Sequence, residues 1–165
     1  MFEDDDEEEA IPQRILIVDD DKYLRDFYSH LVKSLGHIPV CVANGEEALT
    51  ILKEPGEPFD LALIDLLMPV KTGWELIDAI QKDASLEELR LMAMTGLPLS
   101  VEEYEKVNRV TNAVFLKSDF ELAKFAAVVD KLLAAPAGHP APDGRPTKTV
   151  DMADSPAARL RRAGS

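Results

Sequence analysis

Residues 14–21 read Arg-Ile-Leu-Ile-Val-Asp-Asp-Asp. The run 15–18 is short, apolar and mostly β-branched, as a strand covered on both faces should be. Three carboxylates follow it directly. After them Leu24, Phe27, Tyr28, Leu31 and Leu35 recur at helical spacing, and Gly36 stops the helix. Strands and helices alternate down the chain to about residue 134. Strands are predicted over 38–42, 61–64, 91–94 and 113–116. Asn44 caps a helix over 45–53 with Ala48, Leu49 and Leu52 inward, and Pro55-Gly56 breaks the chain after it. Thr72 opens a helix with Leu76, Ile77 and Ile80 on one face, and Ser100 caps another over 101–109. A last helix is predicted from Asp119 to 134, with Leu122, Phe125, Val129 and Leu132 inward. Strands separated by single helices must be parallel, and right-handed crossovers place helices on both faces. The fold class is therefore α/β, a (βα)5 doubly wound sheet of five parallel strands.

Composition narrows the function. The chain has 165 residues and a net charge of −13, from 31 acids and 18 bases. A nucleic-acid binder acting through its global field uses Lys and Arg to displace counterions, so direct nucleic-acid binding is not expected. One cysteine, Cys41, rules out an internal disulfide and fits a reducing, cytoplasmic setting. No apolar run approaches the ~20 residues of a membrane helix. The acidic N-terminus does not resemble a signal peptide. Residues 3–9 are seven consecutive acids, and 1–12 is read as a solvated acidic arm. Residues 136–165 hold five prolines and three glycines and are read as a flexible tail. The domain between them spans 13–135.

In parallel sheets of this class, ligands bind beyond the carboxyl ends of the strands. Asp19, Asp20 and Asp21 follow the first strand, Asp65 the third, Thr95 and Gly96 the fourth, and Lys117 the fifth. Each alone has a plain explanation. In a chain this acidic, chance gives roughly one acidic triplet, and a lone Asp after a strand is more often a helix cap. The weight lies in the conjunction: three carboxylates, a hydroxyl and an ammonium at one end of one sheet. Three neighbouring carboxylates ionise together only when a cation joins them, and oxygen ligands with partial hydration favour Mg²⁺. Such a site suits a carboxylate nucleophile accepting a phosphoryl group, with the ion, Lys and Thr balancing its charge. No Gly-rich phosphate loop is present, so the phosphoryl donor is not expected to be a nucleotide bound here.

With these residues in place, ILIVDDD, FDLALIDLLMP, LMAMTGLP and VFLKSDF resemble the landmarks of receiver domains of two-component response regulators. The resemblance implies a flavodoxin-like fold with strand order 2-1-3-4-5. It implies Mg²⁺ held by Asp19, Asp20, Asp65 and the backbone carbonyl of Leu67. Asp65 is the implied phosphoacceptor, and Thr95 and Lys117 contact the phosphoryl group. Asp21 has no implied metal role and is better read as a helix cap. The implied donor is a histidine kinase or phosphotransfer protein. The implied output is a protein partner bound through the face of helix 4, strand 5 and helix 5, through which members also pair as homodimers. The tail is too short and proline-rich for a DNA-binding domain, so a stand-alone receiver is expected.

Two departures stand out. The family usually has Lys-Pro after strand five, with a cis bond; here it is Lys117-Ser118, implying a strained or a rearranged loop. The family often places Tyr or Phe three residues before the Lys, to swing with the Thr on activation. Here that residue is Val114, and alternation points Phe115 to the opposite face, as core. These departures favour an alternative, a pseudo-receiver that binds partners without phosphorylation, while the five retained site residues favour chemistry. A haloacid-dehalogenase-type phosphatase would also follow an apolar strand with Asp-x-Asp. It is disfavoured by Tyr23, by the lack of a second acidic pair and by the lack of a cap domain. A signalling domain is therefore expected rather than a turnover enzyme.

Overall fold

The computed structural model describes residues 11–68 and 70–141. The acidic run 3–9 and the tail beyond 141 lie outside the described residues. The strands are β1 (Arg14–Val18), β2 (Ile38–Val42), β3 (Leu61–Asp65), β4 (Arg90–Thr95) and β5 (Ala113–Leu116). The helices are α1 (Lys22–Ser34), α2 (Gly45–Lys53), α3 (Gly73–Gln81), α4 (Val101–Val110) and α5 (Leu122–Ala134). All strand pairs are parallel and the order is β2-β1-β3-β4-β5. The α/β expectation and its strand order hold.

Side-chain alternation splits the core in two. Leu16, Val18, Ala62, Ile64, Leu91 and Ala93 face α2, α3 and α4, where Ala48, Leu76, Ile77, Ile80 and Val107 meet them. Ile15, Ile17, Leu61, Leu63, Met92, Met94 and Phe115 face α1 and α5, where Tyr28, Val32, Phe125, Val129 and Leu132 meet them. The central strands are buried on both faces, which is why they read as unbroken apolar runs. The helix starts follow their capping residues. Asn44 accepts from the Glu47 amide, and Thr72 and Ser100 form capping boxes with Glu75 and Glu103.

Three expectations are corrected. The last helix begins at Leu122, because Lys117–Asp119 form a 3₁₀ turn. Leu122 is then the first helical residue and is 55% exposed rather than inward. In α1 the deepest residues are Tyr28 and Val32, while Phe27 stands 42% exposed.

Finally, the chain does not leave the domain at residue 136. Arg90 donates to the Ala135 carbonyl at 2.7 Å, Asn112 to Gly138 at 2.9 Å and Gln81 to Pro140 at 3.2 Å. His139 is buried, with Nδ1 donating to the Leu89 carbonyl at 2.7 Å. Proline and glycine content signalled a free tail, but these side chains hold the backbone carbonyls of 135–140 in place, and Gly138 makes the turn with φ of +104°.

Burial holds the His139 pKa below its ordinary value, against the Leu89 hydrogen bond and the Glu87 charge, which raise it. The unfolded chain therefore takes up the proton first. The contribution of His139 is complete above about pH 6.5 and is lost as the pH falls below that. His139→Asn, whose amide can still donate to Leu89, is expected to lose less of its thermal midpoint between pH 7 and 5 than the wild type. Equal losses in both proteins would contradict this.

Candidate metal and phosphoryl-acceptor site

The alternation that sorts the core also sorts the site. Asp19, Asp65 and Lys117 continue the series Ile17, Leu63 and Phe115, so they fall on the α1–α5 side of the sheet edge. The strand ends are level there: Asp65 pairs with Met94, and Thr95 with Leu116. Lys117 Nζ lies 2.7 Å from Asp19 Oδ2 and 3.2 Å from Asp65 Oδ2. Asp19, Asp20 and Asp65 each offer a carboxylate oxygen, and these oxygens lie within 4.8 Å of one another. Asp19 is 3% and Asp65 6% exposed, while Asp20 is open to solvent.

The backbone fixes these carboxylates. Asp19 Oδ1 accepts from the Asp21 amide at 2.9 Å, and Asp65 Oδ1 accepts from the Leu67 amide at 3.3 Å. Asp21 is turned away and caps α1, accepting from the amides of Tyr23 and Leu24, as expected. Thr95 is the last residue of β4 and is buried. Its hydroxyl donates to the Leu97 carbonyl at 3.0 Å and accepts from the Leu97 amide at 3.3 Å, so it is engaged within its own loop. Leu67 and Leu97 flank the site, 48% and 58% exposed. The Lys117-Ser118 departure resolves as a rearranged loop, a trans peptide in a 3₁₀ turn. Phe115 is buried on the face opposite Val114.

Three supporting features had no signal read from the sequence. Arg25 Nη1 donates to the Asp19 carbonyl at 2.8 Å and fastens the turn after β1. It stands at the sixth position after Asp19, where an α1 side chain reaches back over that turn. Val70 adopts φ of +71°, a costly conformation for a β-branched residue, in the loop that carries Leu67. A Cβ on Gly73 would lie 2.2 Å from the Asp65 carbonyl oxygen and 2.6 Å from Leu66 Cα, so α3 abuts the backbone of Asp65 as only glycine allows.

The electrostatics are unbalanced. One ammonium faces three carboxylates. Burial is the main cause that pushes the Asp65 carboxyl up to about 6; Lys117 pulls it down and Asp19 pushes it further up. Burial lowers the Lys117 ammonium, but the Asp19 hydrogen bond and the charges of Asp65 and Asp19 outweigh it, so its net displacement is upward. An acidic oxygen cluster with excess negative charge and one solvent-facing ligand is what a hard divalent cation fits. The same cluster places a buried carboxylate beside a cationic side chain, an arrangement suited to accepting a phosphoryl group.

Residues 15–130 match the family described as the response regulator receiver domain. The DNA-binding response regulator MtrA of Mycobacterium tuberculosis is 28% identical over 144 residues, 78% of this chain and 62% of MtrA, so the chain spans less than two thirds of that relative. A CheY-like receiver domain protein from Methanospirillum hungatei is 26% identical with a TM-score of 0.65, over 74% of this chain and 94% of that one. The receiver domain of the sensor histidine kinase PA1611 from Pseudomonas aeruginosa shares the fold at 21% identity and a TM-score of 0.67, over 76% of this chain and all of that one. That structure has a magnesium ion coordinated in its active-site cleft.

Two outcomes follow from the geometry. Asp65 protonates more readily folded than unfolded, so its ionisation costs stability as the pH rises from the ordinary carboxylate range through about 6. In EDTA, Asp65→Asn is expected to raise the thermal midpoint at neutral pH, with the gain vanishing near pH 4; a lower midpoint at neutral pH would contradict this. Gly73→Ala forces the backbone apart beside Asp65 and should cost about 1–3 kcal/mol in denaturant unfolding; an unchanged midpoint would refute the close approach.

Proposed function

The chain belongs to the response regulator receiver family, and from that premise we propose that it accepts a phosphoryl group on Asp65 and signals through a protein partner. The observation that carries this is the sharing of the Lys117 ammonium between Asp19 and Asp65, with Asp20 completing a three-carboxylate cluster. The donor would be a phosphohistidine of a histidine kinase or phosphotransfer protein. An Asp65 carboxylate oxygen attacks phosphorus. The new O–P bond forms as the donor's P–N bond breaks, and the leaving imidazole keeps the electron pair and takes up a proton. The product is an acyl phosphate, with no redox change.

Asp19, Asp20, Asp65 and the Leu67 carbonyl would hold Mg²⁺. When bound, the ion supplies charge neutralisation for the transferring group, which brings about −1.5 to −2 charges. Lys117 releases Asp65 Oδ2 and donates to a phosphoryl oxygen. Thr95 supplies the hydroxyl once its own loop lets it turn inward. Leu67 and Leu97 restrict in-line water, so the acyl phosphate hydrolyses slowly. Self-phosphorylation and self-dephosphorylation would be the protein's only chemistry. The net charge of −13 supports a protein partner over nucleic acid. Among the described residues no helix is long and apolar enough to cross a membrane, and the single cysteine supports a cytoplasmic setting.

Acetyl phosphate with Mg²⁺ should add about 80 Da by intact-mass measurement, and the adduct should vanish with EDTA or in Asp65→Asn. The absence of any adduct in the wild type would sink the proposal and leave a phosphorylation-independent interaction module. Once formed, the adduct is expected to persist for minutes or longer; release within seconds would refute the water-excluding role of Leu67 and Leu97.

A further inference from the structure

We propose that the state of Asp65 is read out through Lys117 and Phe120 into a cluster of five aromatic rings beneath α1 and α5, and not through position 114. The inference rests on the receiver reading and adds the route by which the site changes the protein's surface.

Phe27, Tyr28, Phe115, Phe120 and Phe125 form one connected set. Phe120 is its hub, with ring centroids 5.1 Å from Phe27, 6.2 Å from Tyr28, 5.9 Å from Phe115 and 5.7 Å from Phe125. Phe27 also meets Tyr28 at 5.5 Å, and Phe125 meets Tyr28 at 5.6 Å and Phe115 at 5.7 Å. Lys117 lies between two members of this set in the chain. Phe115 precedes it on β5, and the Phe120 amide donates to the Lys117 carbonyl at 3.3 Å, closing the 3₁₀ turn. A displacement of the Lys117 backbone therefore moves Phe120. Tyr28 is also within electrostatic reach of the site. Burial chiefly pushes its hydroxyl up to about 12, and Lys117, Asp19 and Asp65 all act on it.

Lys117 has reason to move. Its ammonium bonds Asp19 and Asp65 directly. A phosphoryl group attached to Asp65 would stand between them and take the Asp65 bond, and a three-residue turn has little slack to absorb the change. Packed rings rearrange in steps rather than yielding smoothly. The route through position 114 lacks these parts. Val114 packs on the opposite face with the α2–α4 core, has no polar group to follow Thr95, and belongs to no ring contact. The cluster reaches the surface at Phe27, which is half-exposed and one helical turn from the exposed Tyr23 on α1, and at Phe120, which directly precedes the N-cap residue of α5. The surface that changes is thus that of α1 and the first turn of α5.

The test uses the full chain labelled with 4-fluorophenylalanine, followed by fluorine NMR before and after saturation with Mg²⁺ and beryllofluoride, a phosphoryl mimic on carboxylates. The resonances of Phe27, Phe115, Phe120 and Phe125 are expected to shift together. Phe59, whose ring lies 4.2 Å from the Arg14 guanidinium at the other end of the sheet, should stay in place. Phe120→Met keeps the bulk and removes the hub ring; Phe120→Leu serves if the first variant does not fold. In either, the Phe27 response should be lost while the acetyl phosphate adduct still forms. A Phe27 resonance that never moves despite adduct formation, or one that still responds without the Phe120 ring, overturns the coupling. No adduct and no shift at any ring would defeat the receiver reading itself, and the coupling with it.

Discussion

One ammonium group holds the site together. Lys117 Nζ bridges two buried carboxylates that come from strands on the far side of the sequence, Asp19 and Asp65. Burial makes the Asp65 carboxylate costly to ionise, and the Lys117 ammonium beside it lowers that cost. The sheet order makes the bridge reachable: β1, β3, β4 and β5 stand side by side, and their carboxyl ends finish at one level. The lysine nevertheless compensates only one of the negative charges. Burial, with the Asp19 charge adding to it, leaves Asp65 reluctant to ionise against the pull of Lys117, and the uncompensated carboxylates leave the cluster receptive to a divalent ion. The proposed nucleophile, the proposed metal ligands and the lysine are therefore parts of a single charge balance.

The same alternation gives the site two sides. Asp19, Asp65 and Lys117 lie over the aromatic core of α1 and α5, whereas Thr95 and Val114 continue the series that faces α4. Charge and rings share one side; the hydroxyl and a small aliphatic residue share the other. This asymmetry connects chemistry to packing, because a change in ion pairing at Lys117 acts first on the rings beneath it.

Most of this was legible in the residue pattern. Buried parallel strands announce themselves as short unbroken apolar runs, and residues 15–18, 61–64 and 91–94 did so. The candidates Asp19, Asp65, Thr95 and Lys117 were visible because each directly follows or ends such a run. What escaped depends on three-dimensional contact. The segment 135–141 looks like a linker by composition, and the side chains that hold it, Gln81, Arg90 and Asn112, are distant in sequence. The 3₁₀ turn after β5 shifted the start of α5 and put Leu122 outside, since helical periodicity alone does not fix where a helix begins. The meeting of Phe27, Tyr28, Phe115, Phe120 and Phe125 needed the packing of α1 on α5, although the parity of Phe115 with Lys117 was already present in the chain.

Borohydride reduction of the phosphorylated protein, followed by peptide mass mapping, tests the central claim most directly, because it converts an acyl phosphate to a stable alcohol at the residue that carried it. Modification at residue 65, dependent on Mg²⁺ and weakened by Asp19→Asn, is the predicted result. Modification at residue 19, 20 or 21 instead, or none at all, would contradict the convergence of these side chains into one phosphoryl-accepting pocket.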